Sequence, residues 1–297
     1  MKWDFENIPY GPDLHQRFDM ACGKENVHAI VYIHGGAYFK GNRGEYPSFL
    51  ADYAENNLFA TMDYRVINAD NGIHMADILF DVNSALEKII EYANESNISI
   101  KDFILIGHSA GGHIGLLYAY RNFQKNDKVR IAACISLSGP TDFTDDIGWS
   151  TMGMWGEDIK TRLMFLSWIG TRLTDYERLT GNAISLTQFN WTKQRNYMQY
   201  KKIIELISPV SYVSKMGRVP PTLLVHARGD NQVPYSNAVR LKTLLDNTSV
   251  PHKLITPVGN ANSHILGGEV YADHNPLIFN NQTWVKEARE WLETYLK

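Results

Sequence analysis

Cysteine is scarce in this 297-residue chain, and long apolar runs are missing from it. Two cysteines, Cys22 and Cys134, cannot form a disulfide framework, which favours a reducing compartment. No uninterrupted apolar run approaches the ~20 residues that a membrane-spanning helix needs. Residues 1–11 carry Asp4 and Glu6 in place of the basic and apolar regions of a secretory signal. We therefore expect a cytoplasmic protein without a membrane span.

An excess of charge of either sign is also missing. The chain has 29 Lys and Arg against 32 Asp and Glu, and its longest basic clusters are residues 193–195 and 201–202. Because this mixture offers none of the basic surface that binds nucleic acid, we expect no nucleic-acid partner. With 44% hydrophobic and 21% charged residues, the composition is that of a folded globular protein and excludes a disordered or fibrous one.

Short apolar runs alternate with longer amphipathic stretches along most of the chain. The runs are rich in Val and Ile, and they predict strands at Val27–Ile33, Leu58–Tyr64, Asp102–Gly107, Ile131–Leu137, Pro221–Ala227 and Lys253–Val258. The stretches between them predict helices at His74–Asn94, after Ser109, at Tyr235–Asp246 and at Thr283–Tyr295. This alternation predicts an α/β fold with a mostly parallel central sheet and helices on both faces.

Residues 143–207 interrupt the alternation, because no strand pattern appears in them. The segment holds four of the seven tryptophans, namely Trp149, Trp155, Trp168 and Trp191. It is too aromatic for a linker and too long for a simple loop. We interpret it as a helical cap inserted into a core that residues 1–142 and 208–297 form together. Its aromatic side chains fit either the interior of the cap or the wall of a substrate pocket.

A Gly-His-Ser-Ala-Gly motif at residues 107–111 follows the strand predicted at Asp102–Gly107 and begins a predicted helix. In this strand-to-helix context, Gly-x-Ser-x-Gly is typical of a nucleophile elbow. The glycines allow a tight turn that presents the serine hydroxyl above the sheet edge. The motif predicts Ser109 as a nucleophile and His108 as a structural residue.

A second motif, His-Gly-Gly-Ala-Tyr at residues 34–38, directly follows the strand predicted at Val27–Ile33. A tetrahedral intermediate needs hydrogen-bond donors where its oxyanion develops, and small residues let backbone N–H groups approach that point. We expect this loop, supported by His34 and Gly35, to form an oxyanion hole with the N–H of Ala110. The alternative is a glycine turn that merely ends the strand.

A serine nucleophile needs a base and a residue that orients the base, and the order Ser…Asp/Glu…His limits the search for both to residues after Ser109. Asp230 lies just past the strand predicted at Pro221–Ala227, at the sheet edge expected for Ser109. Asp142 is a rival, but an aspartate at its position more often caps the start of a following segment. We predict Asp230 as the residue that orients the base.

The base must be a histidine further along the chain. His264 lies just past the strand predicted at Lys253–Val258, and we predict it as the base. His252 begins that strand and lies at the opposite edge. His274 lies further along, in a loop rich in Pro and Asn.

Metal and phosphate chemistry find no support in the sequence. His108 and His113 are not at the i, i+4 spacing of a zinc-binding helix, and no His-Glu-x-x-His motif occurs. The glycines at residues 107, 111 and 112 do not form the Gly-x-x-x-x-Gly-Lys-[Ser/Thr] loop that binds phosphate. We therefore expect neither a metal nor an organic cofactor.

The motifs resemble those of the α/β-hydrolase superfamily, on the branch of small esterases and lipases that includes hormone-sensitive-lipase-like and acetyl-esterase-like proteins. The matching stretches are His34-Gly35-Gly36, Asp63-Tyr64-Arg65, residues 107–112, Arg228-Gly229-Asp230 with Val233-Pro234, and Ser263-His264. The resemblance implies an α/β-hydrolase fold, an oxyanion hole built from the N–H groups of Gly36, Ala37 and Ala110, and an Asp230 that orients His264. Ala37 departs from the usual third glycine, and the loop is also similar to that of arylformamidase-like hydrolases.

The function that these features favour is hydrolysis of small to medium carboxylic esters through an acyl-enzyme on Ser109, with a small-molecule ester as the partner. The same residues would serve a carbohydrate deacetylase, an arylformamidase or an amidase. A reading from a different class is a ligand-binding protein that has the fold without catalysis. Homo-oligomer assembly through a free sheet edge is compatible with each of these readings.

Overall fold

The computed structural model describes residues 1–24, 28–67, 71–122, 128–150, 204–216, 218–230, 232–257, 274 and 283–296. The strands of this part of the chain are β1 (Phe5–Pro9), β2 (Arg17–Ala21), β3 (His28–Ile33), β4 (Leu58–Met62), β5 (Asp102–His108), β6 (Ile131–Leu137), β7 (Thr222–Val225) and β8 (His252–Ile255). They form one eight-stranded sheet in the order β1-β2-β4-β3-β5-β6-β7-β8.

Six of the strands, β3 to β8, form parallel pairs, as the alternation of the sequence predicts. The antiparallel strands β1 and β2 extend the sheet beyond β4 and were not predicted. β1 has polar residues and little burial, and β2 is short and alternates buried with half-buried positions. Neither strand therefore has the continuous Val- and Ile-rich run that identifies buried parallel strands.

The helices of the described residues are α1 (Met75–Glu95), α2 (Ala110–Asn122), α3 (Asp146–Ser150), α4 (Val210–Met216), α5 (Tyr235–Asp246) and α6 (Thr283–Glu293), together with a 3₁₀ helix at Ser48–Glu55. Residues of α1, α2, α4 and α5 pack in one apolar cluster with one face of the sheet. α6 and the 3₁₀ helix pack against the other face. The prediction of helices on both faces is therefore confirmed.

The strands alternate their side chains between these two apolar layers. In β3, Ala29, Val31 and Ile33 belong to one cluster, and Ile30 and Tyr32 belong to the other. All five side chains are at most 1% exposed. Burial of both faces explains why this strand reads as an uninterrupted apolar run in the sequence.

The register of the parallel strands brings their carboxyl ends to one edge of the sheet. Ile33 pairs with Gly107, His108 pairs with Leu137, and Leu137 pairs with Val225. The segments that follow β3, β5, β6 and β7 therefore begin at the same edge of the sheet. This edge is where open parallel sheets bind their ligands.

Only the ends of the predicted cap, residues 143–150 and 204–207, lie within the described residues. Trp149 is buried there, where its indole N–H donates to the Asp142 carbonyl at 2.8 Å and its ring stacks on Phe143. Trp155, Trp168 and Trp191 lie outside the described residues. The helical cap at 143–207 and the core of 1–142 with 208–297 stay predictions.

No described helix is both long enough and apolar enough to cross a bilayer.

Candidate active site

Ser109 lies in the sharp turn between β5 and α2, with a φ of 52°. Two glycines make this turn possible. A Cβ at Gly107 would lie 2.3 Å from the backbone of Gly111, and a Cβ at Gly111 would lie 2.1 Å from the Ile33 carbonyl oxygen. The backbone N–H of Ser109 donates to the Leu137 carbonyl at 2.8 Å, which fixes the turn to the neighbouring strand. The predicted strand–turn–helix elbow is present.

The histidine beside this serine is His274. Its Nε2 lies 2.9 Å from the Ser109 Oγ, and its Nδ1 lies 2.9 and 3.0 Å from the two carboxylate oxygens of Asp230. A carboxylate can only accept, so the Nδ1 carries the proton and the Nε2 accepts from the serine hydroxyl. The side chains of His274 and Asp230 are almost fully buried, which keeps water away from the hydrogen bond between them.

The sequence predicts His264 in the position that the structure gives to His274. His264 itself lies outside the described residues. The imidazole that contacts Ser109 is that of His274, which corrects the prediction of the base. The sequence disfavours His274 because it lies further along, in a stretch rich in Pro and Asn. The number of residues after a strand does not determine which of them returns to the sheet edge, and this is the physical reason why the sequence indicates the wrong histidine. His252 begins β8, as predicted, and contacts Asp246 at 2.9 Å.

Asp230 lies in the loop after β7, where the sequence predicts it. Its Oδ1 accepts the backbone N–H groups of Gln232 and Val233, each at 2.9 Å, and its Oδ2 lies 3.1 Å from the Nε2 of His226. Burial by itself raises the pKa of this carboxyl group. The hydrogen bonds from His226 and His274 outweigh that effect and hold its pKa well below the usual range. Asp230 is therefore a carboxylate at neutral pH.

The rival Asp142 has different partners. Its Oδ2 accepts from the Arg240 Nε at 2.6 Å, and its Oδ1 accepts from the backbone N–H and hydroxyl of Thr144. The cap of α3 is Asp145, whose Oδ1 accepts the Gly148 N–H at 3.1 Å. Asp142 thus stabilises the turn before α3 and the contact with α5.

His108, the variable position of the elbow, contacts the backbone of His274. Its Nε2 donates to the His274 carbonyl oxygen at 3.0 Å. Burial, together with the nearby His274, lowers the pKa of His108 to about 4. The ring is therefore neutral at physiological pH and can keep its proton on Nε2. This contact ties the nucleophile turn directly to the backbone of His274.

The loop of residues 34–38 lies against the elbow. A Cβ at Gly35 would lie 3.3 Å from the Cβ of Ser109. Gly36, Ala37 and Tyr38 have φ angles of 109°, 51° and 71°, so the loop turns through the left-handed region. Ala110, the first residue of α2, lies at the same edge. The loop therefore lies beside Ser109. That the N–H groups of Gly36, Ala37 and Ala110 bind an oxyanion stays a prediction.

Two buried rings hold the start of this loop. The His34 ring stacks on Tyr64 with centroids 4.3 Å apart, and its Nδ1 donates to the Gly35 carbonyl at 2.7 Å. Burial lowers the pKa of His34. Gly41 is required beside it, because a Cβ there would lie 2.5 Å from the His34 Nδ1. These contacts fix the loop, and the supporting role of His34 and Gly35 in an oxyanion hole stays a prediction.

Tyr38 fixes the other end of the loop. Its hydroxyl donates to the His113 Nδ1 at 2.9 Å, and the His113 Nε2 donates to the Ile207 carbonyl at 2.6 Å. The direction of both bonds follows from the carbonyl, which can only accept. Burial lowers the pKa of His113 to about 4, which keeps the ring neutral as both bonds require. His113 was noted in the sequence only to exclude a metal site.

Within the described part of the chain, no three His, Cys, Asp or Glu side chains are grouped so that they could hold a metal ion. The residues brought together are instead a serine, a histidine and a carboxylate in hydrogen-bonded series. That arrangement can activate a hydroxyl as a nucleophile.

The model of the BD-FAE family matches residues 19–245. Among solved structures, a truncated carbohydrate esterase from gut microbiota is 19% identical, with a TM-score of 0.63, over 99% of this chain and 96% of that one. Esterase B from Lactobacillus Rhamnosis is 16% identical, with a TM-score of 0.63, over 99% of this chain and 84% of that one. A propionate-bound thermophilic esterase from Thermogutta terrifontis is 17% identical, with a TM-score of 0.58, over 94% and 89% of the two chains. A search of curated proteins found no match. The predicted α/β-hydrolase fold is confirmed.

Proposed function

The chain belongs to the BD-FAE family, and from that premise we propose that it is a serine hydrolase of carboxylic esters, with Ser109 as nucleophile, His274 as base and Asp230 as the carboxylate that orients the base. One observation carries the proposal. The hydroxyl of Ser109, the imidazole of His274 and the carboxylate of Asp230 form a continuous series of hydrogen bonds of 2.9 to 3.0 Å. Such a series is the arrangement by which serine hydrolases raise the reactivity of a hydroxyl group.

In the first step, the Ser109 Oγ attacks the ester carbonyl carbon while its proton moves to the His274 Nε2. The C–O bond to the alcohol then breaks, and the His274 Nε2 returns the proton to the departing oxygen. Water then attacks the acyl carbon while His274 takes one of its protons. The bond between that carbon and the Ser109 Oγ breaks, the His274 Nε2 returns the proton to this oxygen, and the carboxylic acid leaves. Asp230 keeps the proton of the resting ring on Nδ1 and stabilises the imidazolium that forms in each step.

The oxyanion of each tetrahedral intermediate needs donors that are in place before it forms. We assign this role to the backbone N–H groups of Gly36, Ala37 and Ala110. The closeness of Gly35 to Ser109 supports the assignment, as does the position of Ala110 at the start of α2. A helix N-terminus has unpaired N–H groups and favours negative charge.

The substrate that we propose is an ester with a small to medium acyl group, because an aromatic insertion of this length is suited to enclose a compact substrate. A series of p-nitrophenyl esters from acetate to palmitate tests this point. Maximal kcat/KM at acetate or butyrate is expected, and an optimum at long acyl chains would overturn it.

A second candidate is hydrolysis of acetyl esters on carbohydrates. It is favoured by the likeness to the carbohydrate esterase from gut microbiota, which covers 99% of this chain. Acetate release from acetylated xylo-oligosaccharides, measured beside p-nitrophenyl acetate, separates the two candidates. A kcat/KM that is higher on the oligosaccharide supports the carbohydrate ester.

Hydrolysis of p-nitrophenyl acetate by the purified protein and by Ser109→Ala tests the proposed reaction itself. We expect turnover by the protein and none by the variant. If neither turns over, labelling by a fluorophosphonate reports whether Ser109 is activated. Labelling would point to an amide or formamide substrate, and its absence in the protein would contradict the proposal in favour of a ligand-binding role.

A further inference from the structure

The Asp230 carboxylate lies between two buried imidazole rings, and the proposed mechanism uses one of them. His274 contacts both oxygens. His226, four residues before Asp230 at the end of β7, places its Nε2 3.1 Å from the Asp230 Oδ2. The His226 side chain is 2% exposed and the Asp230 side chain is fully buried.

The protonation of His226 follows from its second contact. Its Nε2 also lies 3.1 Å from the Val233 carbonyl oxygen, which can only accept a hydrogen bond. Both neighbours of this nitrogen are therefore acceptors, so the nitrogen carries the proton and shares it between them. The Oδ2 atom receives one N–H from His226 and one from His274.

The backbone holds His226 in this position independently of the carboxylate. Its N–H donates to the Ile255 carbonyl at 3.0 Å, so the residue continues the pairing of β7 with β8. Its ring packs edge-on against Tyr235 at the start of α5, with centroids 6.0 Å apart. The donor is thus fixed by the sheet and by α5, which are separate from the loop that carries Asp230.

We propose that His226 is a positioning residue for Asp230: its Nε2–H holds the Oδ2 so that the carboxylate stays ionised and faces His274. This inference rests on the proposed function for the role of Asp230. His226 does not touch the reacting atoms, and it acts through the orientation and charge of the carboxylate. A buried carboxylate with fewer donors is costly, because every unpaired oxygen loses its water without a replacement.

The groups that face His226 define what its removal does. The His226 ring contacts Asp230, which in turn contacts His274, and the His274 carbonyl contacts His108. The Tyr235 ring packs edge-on against His226, and the Arg228 guanidinium lies 5.9 Å from the centre of the Tyr235 ring. Without the His226 donor, the Asp230 Oδ2 keeps only the hydrogen bond from His274. The carboxylate, and with it the His274 ring, is then less firmly oriented toward Ser109.

Two variants and one control test the proposal. His226→Leu removes the donor and His226→Gln offers an amide N–H in its place. Tyr235→Phe keeps the ring against His226 and removes only the hydroxyl that contacts the Thr256 hydroxyl at 2.7 Å. We expect His226→Leu to lower kcat by about tenfold or more with little change in KM. His226→Gln should recover most of the rate, and Tyr235→Phe should keep the kcat of the unaltered protein.

A His226→Leu variant that folds and keeps its kcat would overturn the proposal. The tautomer gives a second measurement on the unaltered protein, which does not depend on the folding of variants or on turnover. Selective ¹⁵N labelling of histidine should show a proton on the His226 Nε2. An Nε2 without a proton would overturn the proposal. Failure of the proposed function is distinguishable, because it would appear as absent turnover in the unaltered protein.

Discussion

The Nε2 of His274 lies 2.9 Å from the Ser109 Oγ, although 165 positions separate the two residues. The sheet brings the ends of β5 and β7 to one edge, and His274 lies at the same edge. The carbonyl oxygen of His274 accepts a hydrogen bond from His108, the residue next to Ser109. The nucleophile turn and His274 therefore meet at two points.

Replacing Asp230 by Asn should remove most of the activity. The amide NH₂ of Asn favours the tautomer of His274 that has no proton on Nδ1, and the neutral side chain gives no charge to stabilise the imidazolium. The expected loss in kcat is about four orders of magnitude, with little change in KM. Steady-state kinetics on p-nitrophenyl acetate measures it. Asp142→Asn is the matched control, because Asp142 pairs with Arg240 instead, and this variant should keep its kcat.

The elbow histidine should matter for rate more than for binding. His108→Ala removes the donor to the His274 carbonyl, so the backbone of the base becomes less fixed. We expect kcat to fall by about tenfold or more while KM changes little. His252→Ala is the matched control. His252 begins β8, at the edge of the sheet opposite Ser109, so this variant should keep its kcat. Equal effects of the two substitutions would contradict a specific role for His108.

The loop of residues 34–38 allows a test with two small substitutions at neighbouring positions. A Cβ at Gly36 would lie 1.9 Å from the Lys40 carbonyl oxygen, so Gly36→Ala must displace the loop. Ala37→Gly keeps the N–H and suits the φ of 51°. If these N–H groups bind the oxyanion, Gly36→Ala should lower kcat by about 10²- to 10³-fold and Ala37→Gly should not. Retained kcat in Gly36→Ala would contradict the assignment.

Stability should decrease as the pH falls from about 6.5 to about 4. Burial lowers the pKa of both His108 and His113 to about 4, whereas histidine in an unfolded chain titrates near ~6.5. Between these values the unfolded chain binds protons that the folded protein does not, so the free energy of unfolding falls with pH. Each residue contributes on the order of 2 kcal/mol between pH 7 and pH 5.

Urea unfolding at pH 7 and pH 5 measures this effect. His113→Gln removes one titrating ring and should reduce the loss of stability between the two pH values. Tyr38→Phe is the matched control, because it removes the hydrogen bond to the His113 Nδ1 but keeps the ring. It should lower stability at both pH values without reducing the difference. If His113→Gln loses as much stability between pH 7 and pH 5 as the unaltered protein, protonation of His113 does not contribute to the loss.

The sequence predicts the parallel part of the fold well, because each buried strand carries its own apolar run and each helix its own periodicity. Ser109, Asp230 and the loop of residues 34–38 are also predictable, since each directly follows a strand and inherits its position at the sheet edge. The hairpin of β1 and β2 is not predictable in this way, because its residues are polar and half-buried.

The base is the part of the site that the sequence does not determine. His264 and His274 both follow β8 by many residues, and neither has a local signal that states how the chain returns to Ser109. The roles of His226 and His113 are not predictable for a related reason. Their roles depend on contacts with Asp230, Tyr38 and Ile207 that only the folded chain creates.

The most direct test compares His274→Ala with His264→Ala in the hydrolysis of p-nitrophenyl acetate. The account predicts that His274→Ala loses nearly all of its kcat, to the level of Ser109→Ala, and that His264→Ala retains most of it. Loss of activity in His264→Ala, with His274→Ala still active, would contradict the account and return the base to His264.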